Sequence, residues 1–146
     1  MRFEYKRYRQ AHAADRERPV IEIGLRNLRN PLSSAIAYEA LVDSGSDRNI
    51  FPAEIADLLG IDLTSTEHVQ YVGGVVAGER RPVYFHPIEI EVGRLGGPSY
   101  MTSAGFMPDF AKGGHGLLGR IGFFDEFTFV KFKEVENVLE IGKRRR

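Results

Sequence analysis

The chain has 146 residues, enough for one domain with a real core, and its 42% hydrophobic and 27% charged content is ordinary for a soluble globular protein. Twenty Lys and Arg balance twenty Asp and Glu, so the overall charge predicts no acidic partner. The absence of cysteine excludes disulfides, thiol catalysis and cysteine zinc sites. The opening Met-Arg-Phe-Glu-Tyr-Lys alternates charge with aromatics and has no apolar core of signal-peptide length. No apolar run elsewhere approaches the length that spans a bilayer. The expectation is a cytoplasmic protein with no membrane contact. Arg2, Lys6, Arg7 and Arg9 at one end, and Lys143, Arg144, Arg145 and Arg146 at the other, read as solvated ends rather than a nucleic-acid surface.

Along the chain, short alternating stretches are punctuated by 16 glycines and 7 prolines, which predicts a mostly β domain of short strands. Ile21, Ile23 and Leu25 alternate with Glu22, Gly24 and Arg26 in a first strand. After a turn-rich break at 27–31, Ile36, Tyr38, Ala40 and Val42 share one face of a second strand that runs directly into Asp43. Pro52 suits a first helical position; Ile55, Leu58 and Leu59 form an apolar stripe; Gly60 ends the one convincing helix. Residues 69–85 read as a glycine-tipped hairpin, and Ile88, Ile90 and Val92, separated by Glu89 and Glu91, as the clearest alternating strand. A loop at 93–98 leads to a strand at 100–106. Residues 108–116 are irregular, Leu117-Leu118-Gly119 is a buried strand end, and 121–126 is a short helical turn. A hairpin of 127–133 with 138–141, turning at 134–137, closes the chain. No repeat or linker divides it. The predicted organisation is an extension at 1–18, one domain at 19–141 and a basic tail at 142–146.

Asp-Ser-Gly alone is turn chemistry. Its surroundings make it informative: the apolar Ala40-Leu41-Val42 delivers Asp43 to a tight turn, Gly45 supplies backbone freedom, and the chain continues through Ser46 and Asp47 to Ile50-Phe51 and the helix. Other constellations fail on context. Gly114-His115-Gly116-Leu117-Leu118-Gly119 matches the dinucleotide-binding spacing formally, but no βαβ unit surrounds it. His12, His68, His86 and His115 are scattered, without paired metal-ligand spacing. No Gly-x-Ser-x-Gly elbow occurs. No metal or cofactor is expected, and Phe123, Phe124, Phe127, Phe129 and Phe132 read as core and dimer packing rather than a base-stacking surface.

Leu41-Val42-Asp43-Ser44-Gly45-Ser46-Asp47 resembles the hydrophobic-hydrophobic-Asp-Thr/Ser-Gly-Ala/Ser signature of the aspartic proteases. Leu117-Leu118-Gly119-Arg120 resembles the hydrophobic-hydrophobic-Gly-Arg segment that crosses behind that loop in the retroviral-type, retropepsin-like members. Tyr71-Val72-Gly73-Gly74-Val75-Val76-Ala77-Gly78 stands where that family carries its glycine-rich flap. The resemblance covers about residues 19–132. It implies an all-β, retropepsin-like acid protease barrel with one or two short helices.

In that reading Asp43 is the catalytic carboxylate. Ser44 links two active-site loops across a dimer axis, Gly45 offers its carbonyl to substrate, and Ser46 supports Asp43 through its hydroxyl. Asp47 binds substrate backbone and pairs with Arg120 in a structural ion pair. Val72, Gly73 and Gly74 of the flap, with Leu117 in the groove, hold an extended polypeptide. One Asp-Ser-Gly supplies half of a carboxylate dyad, so the implied enzyme is a homodimer that activates a water between Asp43 and its symmetry mate. The alternative is the same fold kept as a peptide-binding or dimerisation module with weak or no hydrolysis. The charged end after Ile141 is unlike the apolar strand that retroviral enzymes interleave at their interface, which makes 127–133 and 138–141 the candidate replacements.

Overall fold

The structure, a computed structural model, describes every residue except 31, 66–67, 74–77, 111–114 and 146, and leaves aside the side chain of residue 10. In chain order the strands are β1 (Arg2–Glu4), β2 (Lys6–Gln10), β3 (Ala13–Arg18), β4 (Val20–Asn27), β5 (Ile36–Val42) and β6 (Ile50–Pro52), which leads into the helix α1 (Ala53–Leu58). There follow β7 (Val69–Gly73), β8 (Arg80–Val92), β9 (Ser99–Met107), β10 (Gly116–Leu118), β11 (Val130–Lys133) and β12 (Val138–Ile141). Short 3-10 turns at 63–65, 124–126 and 134–136 complete it.

Six of these strands close into a barrel in the order β4-β5-β10-β6-β9-β8, because β4 pairs on both sides: Ile23 lies opposite Tyr38 of β5 and opposite Val92 of β8. Closure removes the unpaired edges of an open sheet. Ile21, Ile23, Leu25, Phe51, Phe106 and Leu118 are buried in one continuous core. At roughly 1.5–3 kcal/mol per fully buried side chain, such burial is the main force holding the barrel. The strand expected at Ile88–Val92 and the returning arm of the expected hairpin are a single strand of 13 residues, β8. β8 runs through Pro82 and Pro87, although each proline removes a ladder donor.

Gly60 ends α1 with φ +67, as its position predicts. Leu58 departs from the expected stripe and is 68% exposed. In so short a helix the inward face is Ile55, Ala56 and Leu59, which leaves Leu58 pointing out. Among the described residues no helix is long and apolar enough to cross a membrane.

A second sheet has the order β1-β12-β11. Phe3, Leu139 and Phe132 sit in one register row on its inner face, and Phe132 stacks on Phe124 at 6.3 Å. Outside, Glu140 holds Arg2 at 3.4 Å and Lys133 at 2.8 Å. Since β12 is paired on both sides within the chain, β1 and β11 are this sheet's edges. Phe123 and Phe127 are core residues, whereas Phe129 is 52% exposed.

Both ends are more structured than their charge suggests. The main chain of residues 142–145 is docked, although Lys143, Arg144 and Arg145 remain exposed: Thr128 N–H donates to the Lys143 carbonyl at 2.9 Å and Arg145 N–H to the Glu126 carbonyl at 2.7 Å. The Arg144 guanidinium lies 5.5 Å from the Tyr100 ring centre and 3.2 Å from Glu126. At the other end β2 and β3 form a two-stranded ribbon. It is pinned to β5 by Lys6 and Tyr8, which both bond the Glu39 carboxylate, and Tyr8 meets His115 edge-on at 4.7 Å.

Candidate active site

β5 ends at Val42, whose N–H donates to the Pro19 carbonyl at 2.9 Å, and the next residue is Asp43. Its N–H donates to the Leu118 carbonyl of β10 at 3.0 Å, which locks the start of the loop to the barrel. The turn then closes on itself. Gly45 N–H donates to Asp43 Oδ1 at 2.9 Å, and Ser46 N–H to the Asp43 carbonyl at 3.2 Å. Asp43 is half-buried, while Ser44 and Gly45 are exposed beside it. The Ser46 hydroxyl donates to the Arg48 carbonyl at 2.7 Å. Its support of Asp43 is therefore through the loop backbone, not through the direct hydroxyl contact expected from the sequence.

The loop is trapped by a crossing of the chain. β10 inserts between β5 and β6, parallel to β5 with Leu118 opposite Val42, and antiparallel to β6 with Leu117 opposite Ile50. The segment after β10 then runs against the active-site loop: Arg120 N–H donates to the Ser46 carbonyl at 2.8 Å and Ile121 N–H to the Asp47 carbonyl at 2.9 Å. The backbones approach so closely that a Cβ on Gly119 would sit 2.3 Å from the Arg48 carbonyl oxygen. Only glycine fits there.

Asn49 completes the crossing and is the residue that sequence reasoning missed. It is fully buried, with Nδ2 donating to the Gly122 carbonyl at 2.9 Å and Oδ1 accepting the Gly119 N–H at 2.9 Å. Without Asn49 the buried Gly119 N–H would go unpaired, whereas the Gly122 carbonyl also accepts the Tyr100 hydroxyl at 2.9 Å. Its available signal was a lone amide entering the apolar Ile50-Phe51 run.

The expected Asp47–Arg120 ion pair is absent from the ion pairs among the described residues. Both side chains are exposed, where water competes for each charge, and the two segments are joined by main-chain bonds instead.

The groove side of the site is apolar. Leu117 and Val72 pack with Met107 and Phe110 on a small buried cluster of Ile50, Val83 and Phe85. This brings one arm of the β7–β8 hairpin and the strand behind Asp43 onto a common floor. Gly73 ends β7 and is exposed. Gly74, Val75 and Val76, expected at the flap tip, lie outside the described residues.

A six-stranded closed barrel, an Asp-Ser-Gly loop at the end of one strand, a hydrophobic-hydrophobic-Gly strand threaded behind it and a long hairpin over the groove together define the retropepsin-like aspartic protease fold. The crystal structure of a retropepsin-like aspartic protease from Rickettsia conorii matches this chain with a TM-score of 0.63, covering 97% of this chain and 89% of that one at 17% identity. The EIAV protease complexed with an inhibitor matches with a TM-score of 0.48 at 17% identity, covering 77% of this chain and 88% of the other. No family model matches the sequence, and no curated protein is significantly similar to it. The chain thus has the fold expected from its motifs.

Proposed function

We propose that this chain is one half of a cytoplasmic aspartic endopeptidase, completed when a second copy brings its own Asp43 to a shared twofold axis. The observation that supports the reading is the Asp43 turn, with its main chain locked to β10 and its carboxylate half-buried at the end of β5. A rigid mount of this kind suits a group that must be held to within a fraction of an ångström.

In this mechanism the two carboxylates share one proton, since two such charges at close range cannot both ionise. The ionised one takes a proton from a water whose oxygen bonds to the scissile carbonyl carbon, and the protonated one donates to the carbonyl oxygen. The tetrahedral intermediate then collapses as the C–N bond breaks and the dyad returns a proton to the leaving amine. Ser44 links the two loops across the axis. The Gly45 carbonyl, Asp47, Leu117 and the hairpin residues Val72, Gly73 and Gly74 grip an extended polypeptide by strand-like main-chain bonds. No metal or cofactor takes part.

The test is cleavage of a peptide library by wild type and Asp43→Asn, with sedimentation of the same samples. We expect cleavage by a dimeric wild type and none by the variant. Equal cleavage by both removes Asp43 from the mechanism, and an active monomer removes the shared dyad. A dimer that binds peptides without cutting them returns the binding-module alternative.

A further inference from the structure

We propose that the small cavity at the root of the β7–β8 hairpin is a subsite that selects an acidic side chain of the bound peptide. The inference rests on the protease reading above and names a feature of the substrate it takes. The cavity has a volume of about 240 Å³ and is lined by Arg48, His68, Gln70, Phe85, His86 and Ser103, among others. That is below the roughly 300–1,000 Å³ of pockets that hold drug-sized ligands or cofactors, and it suits a single side chain.

Its position ties it to the groove. Phe85 belongs both to the cavity wall and to the apolar floor that carries Val72 and Leu117. Arg48 follows Asp43 in the same loop, and the intervening chain limits their separation to roughly 18 Å. An extended peptide spans that distance in about five residues.

Its charge is one-sided. Among the described residues no carboxylate lines the cavity. Arg48 is half-buried and forms no ion pair among the described residues, whereas Arg26 reaches Glu89 at 3.4 Å and Glu91 at 3.6 Å, and Arg144 reaches Glu126. The Arg48 guanidinium lies 5.0 Å from the centre of the Phe85 ring. Stacking fixes the plane of the group and leaves its N–H edge able to take a carboxylate bidentately. Gln70 and Ser103 add neutral donors.

His86 is not the charge. Burial, and then Arg29, hold its pKa below the ordinary value. Its Nε2 lies 3.1 Å from Asn27 Oδ1, which already accepts the Arg29 backbone N–H, so the ring donates there. The arginine is therefore the cavity's permanent cation. It attracts Asp or Glu and repels Lys or Arg, so selection works in both senses.

The experiment uses extended decapeptides in which each position carries Glu, Gln or Lys in turn. Binding is measured on the Asp43→Asn protein and cleavage on the wild type. We expect Glu to be favoured over Gln by about tenfold at one position. The preference should vanish in Arg48→Gln and turn toward Lys in Arg48→Glu. Equal binding of Glu and Gln peptides at every position, or a Glu preference that survives Arg48→Gln, overturns the subsite. Glu-selective binding without cleavage sinks the protease reading and leaves the subsite standing; cleavage without Glu selectivity does the reverse. Neither binding nor cleavage sinks both.

Discussion

Asn49 shows how much a site can depend on a side chain that never meets a substrate. Its amide bonds one buried donor and one buried acceptor on the segment that crosses behind the Asp43 loop. Truncation strands the Gly119 N–H at about 1–3 kcal/mol, while the Gly122 carbonyl keeps its bond from the Tyr100 hydroxyl. Asn49→Ala should therefore lower stability by about 1–3 kcal/mol, read from urea unfolding, while Val135→Ala, at a fully exposed position, should change it by less than about 0.5 kcal/mol. Matching midpoints for the two variants would mean that the crossing is held by its backbone bonds alone. Asp43, Ser44 and Gly45 were legible because an apolar strand feeding a polar turn is a pattern along the chain. Asn49 was not, because a buried amide and a turn amide look alike until its partners, Gly119 and Gly122, are brought beside it. The Ser46 hydroxyl and the Asp47–Arg120 pair were misjudged for a related reason: their partners are chosen by loop geometry and solvent, which spacing does not record.

The β2–β3 ribbon carries its own prediction. A lone two-stranded ribbon is marginal in water, and this one is held largely by Glu39. The bond from Lys6, then that from Tyr8, lower the pKa of Glu39 against the opposing effect of burial. A depressed carboxylate stabilises the docked state above its unfolded value, 4.5, and the contribution is lost as pH falls through the lower folded value. Tyr8 is pushed up to about 12 by burial and then by its bond to Glu39, so its contribution is present below 10.0 and lost as pH rises toward 12. Nuclear Overhauser contacts between the Tyr8 and His115 rings should persist between these limits and fade at both ends. In Glu39→Gln the acid transition should disappear; if it stays, Glu39 is not what holds the ribbon. Strand alternation was easy to read in β4 and β5, where Ile21, Ile23 and Leu25, and then Ala40 and Val42, recur at every second position and are buried. It was harder in β8, where two prolines mask continuity, and at 142–145, where three adjacent basic residues conceal main-chain bonds and a stacked arginine.

At the level of the assembly, the order of three short motifs was enough to read the barrel, since the threading of β10 between β5 and β6 constrains where each can lie. A second copy enters only as a requirement of the proposed protease reading, because one chain carries one Asp-Ser-Gly. That requirement has a quantitative signature. If each active unit needs Asp43 from both copies, mixing wild type with an equal amount of Asp43→Asn and allowing exchange should leave about a quarter of the dimers intact. Peptidase activity should fall to about a quarter of that of the same total concentration of wild type. A fall to one half would mean that each copy works alone.

The threading of β10 also sets a schedule. Leu118 pairs with Val42 across roughly 75 residues of chain, and contacts so distant must close a long loop before they return any free energy. On the ribosome, at about 5–20 residues per second, the aspartate emerges several seconds before the strand that will hold it. Until then the carboxylate sits on an unanchored turn. A nascent or truncated chain that lacks β10 has the sequence of the Asp43 loop but not its mount, so on the proposed protease reading any hydrolytic power is withheld until β10 has been made.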